Sequence, residues 1–471
     1  MVSLKKTCLF LFLSCFASVV CAQKKYEVDF YIHDVEDTVI YIGNYIGISQ
    51  EIIDSIRVKK DGSYHWSTQP LPKGMYMVKD RKKRDMFSFL LSDSPKFSIE
   101  IYENGEAFVK SCPENDAYLL YQAENNKYQT AMYFYRLNVQ AEPQKQDSLY
   151  SVLQPVLDSF ALFQKSFYQT YPNNFITVVQ KSMIQNVPSY FIENGKIKQG
   201  MEKSYAYYFR KHYWDSFCFE DNRILYSPYF IKKFNTYISE ITPQNPDSVC
   251  NALDDFIDVA LKHKGVEYVD YVLTWYLSTL PSMPFSFNEL LYKHIIDKHY
   301  NYLRALFSSD DLEYHKNYIQ SISKFLPGNT MPNIIATDID NQARSLYSSN
   351  HRFTILYFFS STCESCKKNL NILQDLYQMN KDYYDLEIFS VDLEADVEIA
   401  KARQRADAYP WIVTFKAPEE LREYGFLLNH TPELYILDKN KKIINKTAMY
   451  EHVEKILDAV IKNEANKEKT H

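Results

Sequence analysis

Thr354-Ile355-Leu356-Tyr357-Phe358-Phe359-Ser360-Ser361-Thr362-Cys363-Glu364-Ser365-Cys366-Lys367-Lys368 joins an apolar run to an amphipathic one through a single Cys-x-x-Cys pair. The run from Thr354 to Phe359 is β-branched and aromatic, as a strand buried on both faces requires. Beyond Cys366, Leu370, Leu373, Leu376 and Tyr377 recur at helical spacing. The pair is therefore expected at a strand-to-helix turn. Free backbone N–H groups and the positive end of the helix dipole there stabilise a thiolate on the first cysteine, which is the nucleophilic form.

Three chemistries use such a pair. A closed zinc site needs four ligands, usually a second pair or two histidines. No second pair exists, and His351, His430 and His452 lack ligand spacing, so no metal site is expected. An inert disulfide or a retired site remains an alternative. An exchange-active dithiol is the reading that the strand–Cys-x-x-Cys–helix context favours.

The rest of the chain bounds where that chemistry operates. Lys5-Lys6, the apolar stretch Leu9 to Val20 and the small-residue site at Val20-Cys21-Ala22 read as an export signal over residues 1–22. Lipidation at Cys15 or Cys21 is the lesser alternative, because neither fits a lipobox well. Export would place the mature chain in the periplasm or cell envelope. Removing Lys5 and Lys6 moves the net charge from −6 to about −8, which argues against a nucleic-acid partner. Five cysteines then remain, too few for a disulfide-stapled scaffold. Cys112, Cys218 and Cys250 are expected as buried small hydrophobes, with a Cys218–Cys250 bond as the alternative.

With 471 residues, the chain is long enough for about three domains. Residues 23–110 alternate apolar and polar, as in Val28, Phe30 and Ile32 against Glu27, Asp29 and Tyr31. Lys60-Asp61-Gly62-Ser63 is a hairpin signal. These features predict an antiparallel, sandwich-like β domain. Residues 111–325 change to helical period, with the stripe Leu149, Val152, Leu153, Val156, Phe160, Phe163 and Phe167 interrupted by Pro155 as a kink or break. An all-helical domain follows, its aromatic residues expected mainly in the core. Phe325-Leu326-Pro327-Gly328-Asn329-Thr330-Met331-Pro332 marks a boundary. Residues 326–463 then alternate strand and helix: helices near 364–379 and 395–408, a strand at 386–391, a hairpin about Lys439-Asn440, and a last helix carrying Val453 to Ile461. This is a small α/β domain, followed by a polar tail over 464–471.

Residues from about 327 to 463 resemble the thioredoxin fold, specifically its extracytoplasmic TlpA/ResA-like branch. The resemblance rests on Gly328 and Pro332, on Phe358 to Cys366, and on Thr431-Pro432-Glu433-Leu434-Tyr435-Ile436-Leu437-Asp438. The upstream regions are more weakly similar to accessory domains of Bacteroidetes secreted proteins. The likeness implies a cis Pro432 facing the dithiol, with Thr431 and Pro432 as a substrate-binding edge. It also carries departures. Thr362 stands where this branch usually has Trp, and Tyr357 where thioredoxin buries an Asp. The peroxiredoxin Pro-x-x-x-Thr-x-x-Cys pattern is absent, since Phe359 occupies the proline position.

The expected function is extracytoplasmic thiol–disulfide exchange on protein substrates. Cys363 is nucleophile and Cys366 resolves the mixed disulfide. Glu364, Ser365 and Lys367 tune the pair, Glu364 raising the Cys363 pKa and Lys367 and Lys368 opposing it. No cofactor beyond the dithiol is expected, and re-reduction calls for a membrane thiol donor. The alternative is an envelope binding protein that keeps the α/β module as a scaffold.

Overall fold

The structure, a computed structural model, describes residues 24–468 apart from 34–37, 47–48, 103–105, 194–195, 283–284, 395, 408, 427, 429–430 and 448–451. The export signal expected over residues 1–22 and His430 therefore lie outside the described residues. No helix among the described residues is long and apolar enough to cross a membrane. The chain divides into two compact units between Tyr271 and Val272.

The first unit opens with eight strands: β1 (Glu27–Ile32), β2 (Val39–Ile46), β3 (Ser49–Arg57), β4 (Tyr64–Ser67), β5 (Gly74–Lys79), β6 (Asp85–Leu91), β7 (Lys96–Ile101) and β8 (Ala107–Lys110). They form two four-stranded sheets, ordered β4-β1-β7-β8 and β3-β2-β5-β6. Val28 and Phe30 of β1 share one core with Ile40 and Ile42 of β2, Trp66 of β4 and Phe89 of β6, so inner faces of both sheets close a sandwich. Pairing is antiparallel as expected, except that β1 and β7 run parallel. The turn at Lys60 to Ser63 forms, with Gly62 at φ +81° and the Asp61 carboxylate accepting the Ser63 N–H at 3.0 Å. The hairpin expected across it shrinks to a single Val58–Tyr64 bridge, because β3 and β4 belong to different sheets.

Helices follow. α1 (Pro113–Ala141) and α2 (Gln146–Thr170) pair as an antiparallel hairpin, with Tyr121 against Phe167 and Tyr128 stacked on Phe160. α2 continues through Pro155, so of the expected kink or break the break does not occur. The stripe is only partly buried: Leu153 and Phe167 are covered, whereas Val152 is 76% exposed. A two-helix hairpin offers each helix one partner, so half of a wide apolar face stays open. α3 (Phe175–Met183), the short hairpin β9 (Ile192–Glu193) and β10 (Lys196–Ile197), α4 (Glu202–Lys211), α5 (Pro228–Asn235) and α6 (Pro246–Lys262) complete this unit. α7 (Val266–Thr279) contains the division.

The second unit continues with α8 (Ser286–Leu306) and α9 (Ser309–Ser323), then an α/β fold. Its strands are β11 (Ile335–Asp338), β12 (Ala343–Ser345), β13 (Phe353–Phe359), β14 (Leu386–Asp392), β15 (Ile412–Phe415), β16 (Glu433–Asp438) and β17 (Ile443–Thr447). Sheet order is β12-β11-β15-β14-β13-β16-β17. Its helices are α10 (Glu364–Tyr384), α11 (Val397–Asp407), the single turn α12 (Pro418–Leu421) and α13 (Val453–Glu468). α13 continues through part of the stretch read as a polar tail, and its side chains there are exposed through Ala465.

β13 is an interior strand, parallel to β14 and antiparallel to β16. Every residue of it is buried. Ile355, Tyr357 and Phe359 pack with Leu370, Leu373 and Leu376 of α10 on one face. Leu356 and Phe358 pack with Phe389, Phe426 and Tyr435 on the other. Two-sided burial explains a continuous apolar run where a one-sided strand would alternate. Truncating Ile355→Ala opens a cavity in the strand that ends at the dithiol. We expect a loss of about 2–5 kcal/mol in the denaturant-induced transition of this unit, read by chemical denaturation beside wild type.

Candidate active site

The dithiol sits where β13 ends and α10 begins. Cys363 is the N-cap of α10, with φ −85° and ψ 115°, and its sulfur accepts the Cys366 N–H at 3.3 Å. A thiolate there meets a backbone donor that the first helical turn leaves without an intrahelical partner. Ser365 Oγ lies 3.0 Å from the same sulfur. Both cysteines are free thiols, Cys363 partly exposed and Cys366 buried.

The two thiols are driven apart in acidity. Desolvation pushes the Cys363 pKa up, but hydrogen bonds from Cys366, Ser365 and Thr431 outweigh it, and the net direction is down. Cys366 is pushed up to about 12, by burial first and by its neighbour Cys363 second. A partly exposed, acidified thiol beside a buried thiol that holds its proton is the asymmetry needed between attacking and resolving cysteines. Glu364 extends into solvent and pairs with Lys367 at 3.3 Å, so these opposite charges largely offset each other. Ser365 makes the direct contact, through a neutral hydroxyl.

Thr431 and Pro432 lie at the head of β16, and the peptide bond between them is cis, as the resemblance implied. The Thr431 side chain is among the groups that favour the Cys363 thiolate. The cis-proline segment and the dithiol therefore share one end of the sheet. Glu433 follows as the first residue of β16, opposite Phe358 in register.

A second set of residues, not singled out in the sequence, fastens the turn before the dithiol. Asp392 closes β14 beside Phe359 and is almost fully buried. Its carboxylate accepts the N–H groups of Ser361 at 3.1 Å and Glu394 at 3.0 Å. Desolvation raises its pKa despite those donors. Glu394 accepts the Thr362 hydroxyl at 2.6 Å and the Ser360 hydroxyl at 3.3 Å. Arg403 of α11 donates to the Ser361 carbonyl. Asp392-Leu393-Glu394 sits at the carboxyl end of a strand parallel to the one bearing the dithiol. That placement is the signal by which the sequence could have revealed it.

The departures have physical replacements. Thr362, in place of an aromatic platform, hydrogen-bonds Glu394. Tyr357, in place of a buried carboxylate, stacks on Phe359 at 5.4 Å and donates to the Cys366 carbonyl at 3.4 Å. Cys112 and Cys250 are buried and Cys218 partly so, all three as free thiols.

A parallel pair β13–β14, an antiparallel cis-proline strand β16 beside it, and a dithiol capping the helix after β13 define a thioredoxin-like fold. Residues 327–446 match the AhpC/TSA family, and residues 196–322 match a domain of unknown function, DUF5106. Two relatives, each described as thiol-disulfide oxidoreductase ResA, come from Bacillus cereus and Bacillus thuringiensis subsp. konkukian. Each is 24% identical over 160 residues, spanning 34% of this chain and 87% of the relative. Among solved structures, a thioredoxin-like protein from Bacteroides caccae is similar at 19% identity and TM-score 0.45, over 57% of this chain and 99% of that one. The thioredoxin domain of a thiol-disulfide oxidoreductase from Bacteroides vulgatus is similar at 21% identity and TM-score 0.26, over 28% of this chain and 97% of that one. The C-terminal domain thus has a thioredoxin-like fold and is similar to thiol–disulfide oxidoreductases of the TlpA/ResA-like kind.

Alkylation by iodoacetamide reads the Cys363 thiolate directly. Its rate should rise with pH and level off with a midpoint below that of an ordinary thiol, since the lowered pKa means more thiolate at neutral pH. Ser365→Ala removes a stabilising hydrogen bond and should move the midpoint upward. An unchanged midpoint would show that Ser365 does not tune the site.

Proposed function

We propose that this protein is an exported thiol–disulfide oxidoreductase that reduces or reshuffles protein disulfides through Cys363 and Cys366. The observation that carries the reading is the N-cap sulfur of Cys363, supplied with a backbone donor and the Ser365 hydroxyl, beside a buried Cys366. The Cys363 thiolate attacks one sulfur of the substrate disulfide. That S–S bond breaks, the departing sulfur takes a proton, and a mixed disulfide forms. Cys366, losing its proton, then attacks Cys363. The substrate leaves as a dithiol and the electron pair it gained has come from the protein, now a Cys363–Cys366 disulfide. A substrate segment docks along Thr431 and Pro432. A membrane thiol donor returns the enzyme to its dithiol form, and no further cofactor takes part.

The periplasm or cell envelope is the proposed compartment, in keeping with the signal-like N-terminus and with disulfide chemistry. The division into a β domain (23–110), a helical domain (111–325) and a thioredoxin-like domain (326–463) belongs to the same reading. Exposed Tyr133, Phe134 and Leu137 on α1 favour a binding role for the helical part beside the redox role.

The donors on Cys363 are neutral, and Lys367 is engaged by Glu364. Without a cation on the thiolate, the reduced form lacks the stabilisation that makes strong oxidants. Equilibration with glutathione should give a potential of about −200 mV or lower, whereas about −120 mV would overturn the reducing direction. Cys363→Ala should abolish reduction of insulin with the fold intact. Cys366→Ala should accumulate mixed disulfides on Cys363, and an empty trap in cell extracts would count against exchange.

A further inference from the structure

Three buried charged side chains meet behind the cis-proline edge. Lys446 on β17 reaches Glu289 of α8 at 2.8 Å and Glu433 of β16 at 3.2 Å. All three side chains are at most 7% exposed. The Tyr435 hydroxyl donates to the same Glu433 oxygen at 3.1 Å. The Lys446 backbone N–H also donates to Ser286 Oγ at 2.6 Å, at the first residue of α8. Glu289 lies one turn along that helix. Its second oxygen is buried and accepts no hydrogen bond among the described residues, so Lys446 is the group that holds this carboxylate.

The position of the triad matters more than its existence. Glu433 is bonded to Pro432, and Thr431 on the other side is among the groups acting on Cys363. β17 is an edge strand of the sheet, and α8 is fastened to it by both the backbone and the ion pair. Burying three charges is costly and only close geometry compensates it. A site needing nothing more than stability would be served by apolar residues, and positional specificity is the better-attested return. Two carboxylates carried by different elements hold one ammonium, tying Lys446 to α8 and to β16, and so fixing Glu433.

We propose that the Glu289–Lys446–Glu433 triad is a positioning device by which α8 holds the Thr431–Pro432 segment in place for a docking disulfide substrate. The inference rests on the oxidoreductase reading above. It makes a helix outside the α/β sheet a contributor to substrate binding, with Lys446 and Glu289 as positioning residues that touch no reacting atom.

The test compares full-length wild type, Lys446→Met and Lys446→Arg for insulin reduction, with Cys363 alkylation by iodoacetamide in parallel. The small reagent needs no docking edge. Lys446→Met should raise KM about fivefold or more while kcat and the alkylation rate stay within about twofold. Lys446→Arg should keep KM within about twofold, because it restores the cation. A wild-type KM in folded Lys446→Met overturns the proposal. An equal fall in alkylation and reduction also overturns it, since that marks general damage. If Lys446→Met does not fold, the uncharged triple variant Glu289→Gln/Glu433→Gln/Lys446→Met replaces it, with a raised KM expected and a wild-type KM again overturning the idea. Wild type that alkylates at Cys363 but reduces no disulfide would instead overturn the oxidoreductase reading itself.

Discussion

Everything near the dithiol depends on the two-sided burial of β13. Ile355, Tyr357 and Phe359 are committed to the α10 face, and Leu356 and Phe358 to the opposite one. A slip of one residue would exchange these faces and leave each core with side chains of the wrong shape. The register with β14 and β16 is thereby fixed, and the strand ends where it must for Cys363 to cap α10. Chemistry at the turn is downstream of hydrophobic packing in the strand.

Packing delivers the turn but does not hold its backbone. Residues Ser360 to Thr362 leave the sheet before the helix begins, so their polar groups need partners elsewhere. Asp392, Glu394 and Arg403 supply them from β14, the loop beyond it and α11. The acidity of Cys363 then follows from local donors. Hydrogen bonds to the thiolate act at contact distance, whereas Glu364 and Lys367 are solvated and set against each other. Solvent screening weakens such exposed charges. The Ser365 hydroxyl, in direct contact with the Cys363 sulfur, is the neighbour that geometry brings nearest to the thiolate.

The same contrast separates what was legible in the chain from what was not. The apolar run of β13 and the period of α10 are local patterns, and they located the dithiol turn and the fold class. Asp392 and Glu394 gain meaning only when β14 lies beside β13, which is a long-range pairing. β15 was missed although Ile412-Val413-Thr414-Phe415 is β-rich, because the run is too short to stand out from its surroundings. At Pro155 the local breaker does not end the helix, whose Phe160, Phe163 and Phe167 pack against Tyr121 of α1. The α2 stripe likewise promised a buried core, but a hairpin buries only the side that faces its mate.

The two departures from relatives at the site can be weighed on the same terms. An aromatic residue before the first cysteine would present an apolar surface beside the nucleophile. Thr362 instead gives its hydroxyl to Glu394, which stiffens the turn and leaves a polar rim. Tyr357 fills the volume of a buried carboxylate with a phenol that donates to the Cys366 carbonyl. The backbone around Cys366 gains a donor, while the buried thiol gains no ionised neighbour from that position. Both substitutions preserve the geometry of the dithiol and remove side-chain chemistry around it. In the proposed reaction, recognition then falls to the Thr431–Pro432 edge, where backbone pairing is indifferent to substrate sequence. The precision of that edge becomes the quantity on which substrate binding depends. A buried charged anchor one residue beyond it is where such precision can be built, because ions in a dry site tolerate little displacement.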